Sequence, residues 1–137
     1  MLTVLKFIWQ LPQNIIALVL LAFNCRSYKK ETIDGITVYF LKHFMFRSGI
    51  SLGNFILLDK LYSEERYRHL LENTVKHEHG HQIQSLYLGI LYLIIVGLPS
   101  VIGNIWHRMF NKDSKWYYSR YPENWADKLG KVQRTYP

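Results

Sequence analysis

Lys76-His77-Glu78-His79-Gly80-His81-Gln82 sets two histidines four residues apart, with a glutamate directly after the first. On an α-helix that spacing places His77 and His81 one turn apart on a single face, where two imidazoles reach the same metal ion. Glu78 falls one step round the helix, beside such an ion rather than on it. There it can take a proton from a metal-bound water, whose pKa zinc lowers to about 7. His79, two residues from each partner, points the other way. The stretch is therefore read as a helix carrying a metal site, with His77 and His81 as ligands and Glu78 as general base.

The helical pattern extends in both directions from this motif. Upstream, Ser63 has the chemistry of a cap, and Glu64 and Glu65 suit the positive end of a helix dipole. Downstream, Gly89 is a natural stop, so the helix is predicted from about Glu64 to Leu88. Before it lies strand sequence. Glu31–Leu41 carries Asp34-Gly35 between β-branched runs, a hairpin signal because both turn positions need positive φ. Ser51–Asp59 reads as another strand, so three or four short strands are expected before the helices. After the helix comes an apolar block, Leu86–Trp106, interrupted at Gly97-Leu98-Pro99-Ser100. A short helix follows, with Pro122 in its first turn and Gly130 at its end.

Apolar residues make up 49% of the 137, and many fall in two blocks, Leu2–Phe23 and Leu86–Trp106. The first is long enough to span about 30 Å of hydrocarbon, although Lys6, Gln10, Pro12, Gln13 and Asn14 dilute its first half. It ends without a small-x-small cleavage site, so residues 1–24 are expected to form an uncleaved membrane helix, spanning or partly interfacial, with residues 25–137 as the domain proper. The net charge of +7 comes from scattered bases, many flanking the apolar blocks, as expected at lipid headgroups; nucleic acid is not the expected partner. Cys25 is the only cysteine, which excludes an intrachain disulfide and a thiolate metal site, and it is expected to be an unmodified thiol at a membrane boundary.

A catalytic zinc takes three protein ligands and keeps a fourth position for water. Tyr121-Pro122-Glu123-Asn124-Trp125-Ala126-Asp127 supplies Glu123 as the third, with Asp127 one turn further on to accept the free N–H of a ligand histidine. By themselves the two acids would read as an exposed pair on a short helix; behind the histidine motif they read as a ligand and its support. His107, Tyr117, Tyr118 and Arg120 could stabilise a developing oxyanion, but each is more often an interfacial aromatic or a solvated base, and none is assigned a catalytic role.

The motif helix followed by Glu123-Asn124-Trp125-Ala126-Asp127 resembles the gluzincin metallopeptidases, especially the membrane-bound Ste24/HtpX-type peptidases, over roughly Ser51–Gly130. The resemblance implies His77, His81 and Glu123 as zinc ligands, Glu78 as general base and Asp127 as support for a histidine. It also implies that the strand before the active-site helix, Ser51–Leu58, pairs with an extended substrate.

A shared site constrains topology. One crossing of a bilayer by Leu86–Trp106 would leave His81 and Glu123 on opposite sides, whereas a hairpin broken at 97–100 keeps them together, with each arm too short to span. The expectation is an α+β fold: an N-terminal membrane helix, a small mostly antiparallel sheet, the active-site helix, an apolar helical hairpin dipping into the membrane at about 86–107, and a short ligand helix. The expected function is zinc-dependent hydrolysis of peptide or protein substrates at a membrane. Positive charge after both blocks favours the cytoplasmic side for the site. Two readings from other classes stay open: a zinc-binding membrane protein or regulator without catalysis, and a structural membrane protein whose histidines bind metal incidentally.

Overall fold

Two tight turns organise the sheet. Strands β1 (Lys29–Ile33) and β2 (Ile36–Leu41) pair antiparallel around Asp34-Gly35, whose φ values of 50° and 79° are those a two-residue hairpin demands. The stretch expected as one strand over 51–59 is a second hairpin. β3 (Gly49–Leu52) turns at Gly53-Asn54 into β4 (Phe55–Asp59), with Gly53 at φ +60° and Leu52 opposite Phe55. The two hairpins join through a parallel β2–β4 pairing, giving the order β1-β2-β4-β3. The sheet is thus mixed: two of its three pairings are antiparallel and the central one is parallel. The computed structural model describes residues 2–24, 29–42 and 48–136; Cys25 and Arg47 lie outside them.

Alternation along the strands feeds a core on each face of the sheet. Val38, Phe40, Ile56 and Leu58 pack against Leu71 and Val75 of α3 (Arg68–Leu88). Leu41, Leu52 and Leu57 pack on the other face against Ala17, Leu20 and Leu21 of α2 (Leu11–Phe23), with Leu93 joining them. The sheet therefore lies between the motif helix and the N-terminal apolar block, and the fold is α+β as the sequence predicts.

The N-terminal block is not one helix. α1 (Leu2–Trp9) and α2 meet at Gln10 with a bend of 93°, and among the described residues no single helix is long and apolar enough to cross a membrane. The polar side chains that dilute the block hold this elbow. The Gln13 amide donates to the Gly89 carbonyl at 2.5 Å, and the Ser85 hydroxyl donates to Gln10 at 2.7 Å. Asn14 accepts the Asn54 N–H at 2.8 Å and donates to the Phe7 carbonyl. Gln10, Gln13 and Asn14 are all buried. They satisfy backbone groups of three other segments, a use that a hydropathy profile cannot separate from a weakened span.

α3 starts later than the sequence suggests. Asp59 accepts the Leu61 N–H and caps a 3₁₀ turn over Lys60–Ser63, so Ser63 donates to the Lys60 carbonyl instead of capping the helix. Gly89 does end α3, at φ +53°. The apolar hairpin is displaced as well. The chain turns at Gly89–Leu91, and helix is continuous from Leu93 to Met109: a π-helical turn, Leu93–Gly97, leads into α4 (Leu98–Met109). Pro99 cannot donate to the Ile95 carbonyl, four residues back, but the Tyr121 hydroxyl donates to it at 2.6 Å. The expected break is thereby closed by a residue distant in sequence. α5 (Ser114–Tyr118), capped by Asp113, and α6 (Glu123–Gly130) complete the fold.

Candidate metal centre

α6 crosses α3 with backbone against backbone. A side chain at Gly80 would put its Cβ 1.9 Å from the Ala126 carbonyl oxygen, and one at Gly130 would lie 1.9 Å from the Lys76 carbonyl oxygen. Both glycines are required by this approach. Gly130 is the last helical residue, while the left-handed position after it falls to Lys131 at φ 55°. The crossing brings the first turn of α6 onto the face of α3 that carries the histidines.

There His77, His81 and Glu123 converge, all buried, with one potential ligand atom from each lying within 4.8 Å of the others. Glu123 Oε2 stands 3.0 Å from His77 Nε2 and 3.1 Å from His81 Nε2. The two imidazoles are edge to face, with centroids 4.7 Å apart. This group could hold a metal ion, and its donor set of two neutral imidazoles and a carboxylate suits a divalent cation. His79 stays outside it, bonded to Gln82.

Every outer atom of the three residues is held. His77 Nδ1–H donates to Asp127 Oδ1 at 2.6 Å, which turns Nε2 towards the centre. Asp127 is gripped in turn by Arg134, through Nη2 at 2.8 Å and Nε at 2.5 Å. The guanidinium lies over the Tyr118 ring, 3.3 Å from its centroid, and that ring meets His77 edge-on. His81 Nδ1–H donates to Gln84 Oε1 at 2.7 Å, and Gln84 donates onward to the Pro122 carbonyl. The second Glu123 oxygen accepts from Ser100 of α4 at 2.5 Å.

The protonation equilibria reflect this packing. Burial works against charge on His77, yet the hydrogen bonds to Asp127 and Glu123 overcome it and raise its pKa to about 9. Burial opposes charge on Glu123 too, but the two histidines hold its carboxyl well below the usual carboxylate range. Asp127 is lowered by His77 and Arg134 against its own burial. Glu78 moves the opposite way: desolvation raises it, with His77 and His81 pulling back. Three adjacent acids are thus separated by environment into two held ionised and one displaced towards the range of a proton carrier.

Glu78, His77, His81 and Glu123 line a cavity of about 440 Å³. Ile16 and Leu20 of α2, Leu93, Leu98 and Val101 give the rest of it an apolar wall. The edge strand β3 lines it from Gly49 to Leu52. Gly49 makes room for Glu78, since a Cβ there would lie 2.6 Å from Glu78 Oε1. Of the four further candidates, Tyr117 lines the cavity, and burial together with the Glu123 charge drives its pKa up. Tyr118 packs on His77 and is pushed up to about 12, chiefly by burial. His107 stacks on Tyr117, and Arg120 lies over Trp116 away from the cavity.

Arg134, Gln84, Ser100 and Gly49 were not singled out from sequence. Only Gln84 carries a signal there, lying three residues after His81 on the same helix. Comparison with protein-family models, with curated proteins and with solved structures gives no match to this chain.

Proposed function

We propose that the chain is a zinc metallopeptidase of gluzincin type, hydrolysing peptide bonds with His77, His81 and Glu123 as zinc ligands and Glu78 as general base. One observation carries this reading: the buried His-His-Glu group and the desolvated Glu78 line the same cavity as an edge strand. Bound zinc would supply Lewis-acid polarisation of a carbonyl and acidify a water. His77 and His81 present Nε2, their tautomers fixed by Asp127 and Gln84. Glu78 takes the proton of the attacking water and returns it to the leaving amine, and its raised pKa suits both transfers. As an edge strand among the described residues, β3 offers backbone groups to an extended peptide, with the apolar wall for a side chain beside the scissile bond.

The test is metal content and cleavage measured together. After dialysis the wild-type chain should hold near-equimolar zinc, falling sharply in His77→Ala, His81→Ala and Glu123→Ala. Glu78→Gln should keep zinc while losing cleavage of a peptide library, because an amide cannot accept the proton. Full zinc occupancy in both histidine variants would overturn the site. Zinc without cleavage in the wild type would leave a metal-binding protein without catalysis.

A further inference from the structure

α4 is amphipathic in the inverted sense. Leu98, Val101, Ile102, Ile105 and Met109 form a stripe at helical spacing, and all are exposed, Met109 to 71% and Ile102 to 54%. The residues turned inward include Ser100 and Asn104, which line the cavity. A helix folded against water alone would place these the other way round. The preceding turns continue the exposed stripe through Ile90, Leu91 and Ile94. α1 and α2 add Val4, Leu5, Ile8, Ile15, Leu18 and Val19. The segments are joined, because the Trp9 indole donates to the Leu86 carbonyl at 2.9 Å and Gln13 bonds Gly89.

Charge identifies what covers this surface. No acidic residue occurs before Glu31 or between Glu78 and Asp113, so the charged residues of these helices and of the turn after α4 are bases, among them Lys6, Arg108 and Lys112. Trp9 and Trp106 are exposed as well, and tryptophan is enriched at membrane–water interfaces. A second copy of the chain would bring like charges together around the apolar patch, whereas an anionic bilayer neutralises them. Crossing the bilayer is disfavoured by length and by packing. Leu93–Met109 spans about 25 Å at 1.5 Å per residue, short of about 30 Å of hydrocarbon. α2 has Ala17 fully buried against the sheet, so only one side of it is available to lipid.

We propose that the outward apolar face of α1, α2 and Leu93–Met109 embeds in one leaflet of an anionic lipid bilayer without crossing it, so that the metal-site cavity opens at the lipid interface. Ile16, Leu98 and Val101 both line the cavity and are exposed, which sets its mouth within the embedding surface. The docking does not depend on hydrolysis, and the two are separable by experiment.

Flotation of the full chain with phosphatidylcholine vesicles, with and without phosphatidylglycerol, tests the proposal. Binding should be strong only with the anionic lipid. Ile94→Ser with Ile102→Ser, neither lining the cavity, should weaken partitioning about a hundredfold. Lys6→Gln with Lys112→Gln should weaken it about thirtyfold while leaving the apolar face intact. Zinc content should stay unchanged in both pairs, and Glu78→Gln should float like wild type. In a Cys25→Ser background, cysteines at positions 3 and 23 should react with an impermeant thiol reagent from one side only. Labelling from opposite sides would overturn the one-leaflet geometry. Equal binding to neutral vesicles, or absence of binding with a dimer that Ile94→Ser and Ile102→Ser dissolve, would overturn the lipid assignment.

Discussion

Replacing Gly80 with alanine adds one methyl group at the point where α3 and α6 touch. Its carbon would lie 1.9 Å from the Ala126 carbonyl oxygen and 2.6 Å from the carbonyl carbon, against a resting C···O separation of roughly 3.3 Å. The obstacle is backbone on both sides, so no rotamer change relieves it, and α6 must retreat by more than ~1 Å. Glu123 lies one turn before Ala126 on the same helix and moves with it. Metal–ligand distances tolerate only about 0.2 Å, so a retreat of that size removes the carboxylate from the site. Zinc affinity should fall about a hundredfold or more, and cleavage with it. Overpacking of this kind costs about 1–3 kcal/mol of stability, partly offset by about 1 kcal/mol of alanine's better helix propensity. Tm should therefore drop only modestly while zinc affinity collapses. Competition against a chromophoric chelator measures the affinity, and calorimetry measures Tm. Gly103→Ala is the control: its Cβ would meet nothing closer than Tyr117 at 3.7 Å, so it should bind zinc normally and melt no lower than wild type. Unchanged zinc affinity in Gly80→Ala would refute the claim that the backbone contact sets the ligand geometry.

Other outcomes follow from the same contacts. Arg134→Ala should weaken zinc binding about 10–100-fold although Arg134 touches no metal, and Arg134→Lys should recover only part because it cannot grip both Asp127 oxygens; the chelator assay reads both. Ser100→Ala removes one hydrogen bond to Glu123 and should lower zinc affinity by roughly tenfold without changing the fold, as circular dichroism would confirm. For the metal-free protein, His77 has a folded pKa of about 9 against 6.5 unfolded. The stabilisation it brings is complete below pH 6.5 and is lost as pH rises towards 9. Glu123 and Asp127 are depressed in the fold, so their contribution is present above the ordinary carboxylate range and disappears in acid. Tm of the metal-free chain should therefore peak in mildly acidic solution and fall from pH 6.5 to 9, and His77→Gln should flatten the alkaline limb. Zinc must displace the His77 proton at neutral pH, so calorimetric titrations in buffers of different ionisation enthalpy should show proton release.

The parts of the fold read correctly from sequence are those fixed by local chemistry. The spacing of His77 and His81, the Asp34-Gly35 turn and the Gly89 stop depend on a few neighbouring residues, and each lies where its spacing says. Glu123 and Asp127 follow the same logic, one helical turn apart. The misread parts are those whose meaning is supplied by a distant partner. The helix through Gly80 is read correctly, but the need for glycine there shows only when α6 is laid against it. Pro99 reads as a break until the Tyr121 hydroxyl takes the carbonyl it strands. Gln10, Gln13 and Asn14 read as dilution of a span until Asn54, Ser85 and Gly89 appear as their partners. The β3–β4 turn was hidden for a different reason: Leu52 and Phe55 keep the apolar run going across Gly53-Asn54.

The order in which the site residues leave the ribosome follows from the long separations that join them. His81 precedes Glu123 by 42 residues, and His77 precedes Asp127 by 50 and Arg134 by 57. A nascent chain thus exposes its imidazoles long before Asp127, which orients His77, and Glu123, which completes the proposed ligand set. The N-terminal helices that wall the cavity are by then already made. On this geometry the proposed ligand set is incomplete until Glu123 has joined the two histidines, and its support until Asp127 and Arg134 have followed.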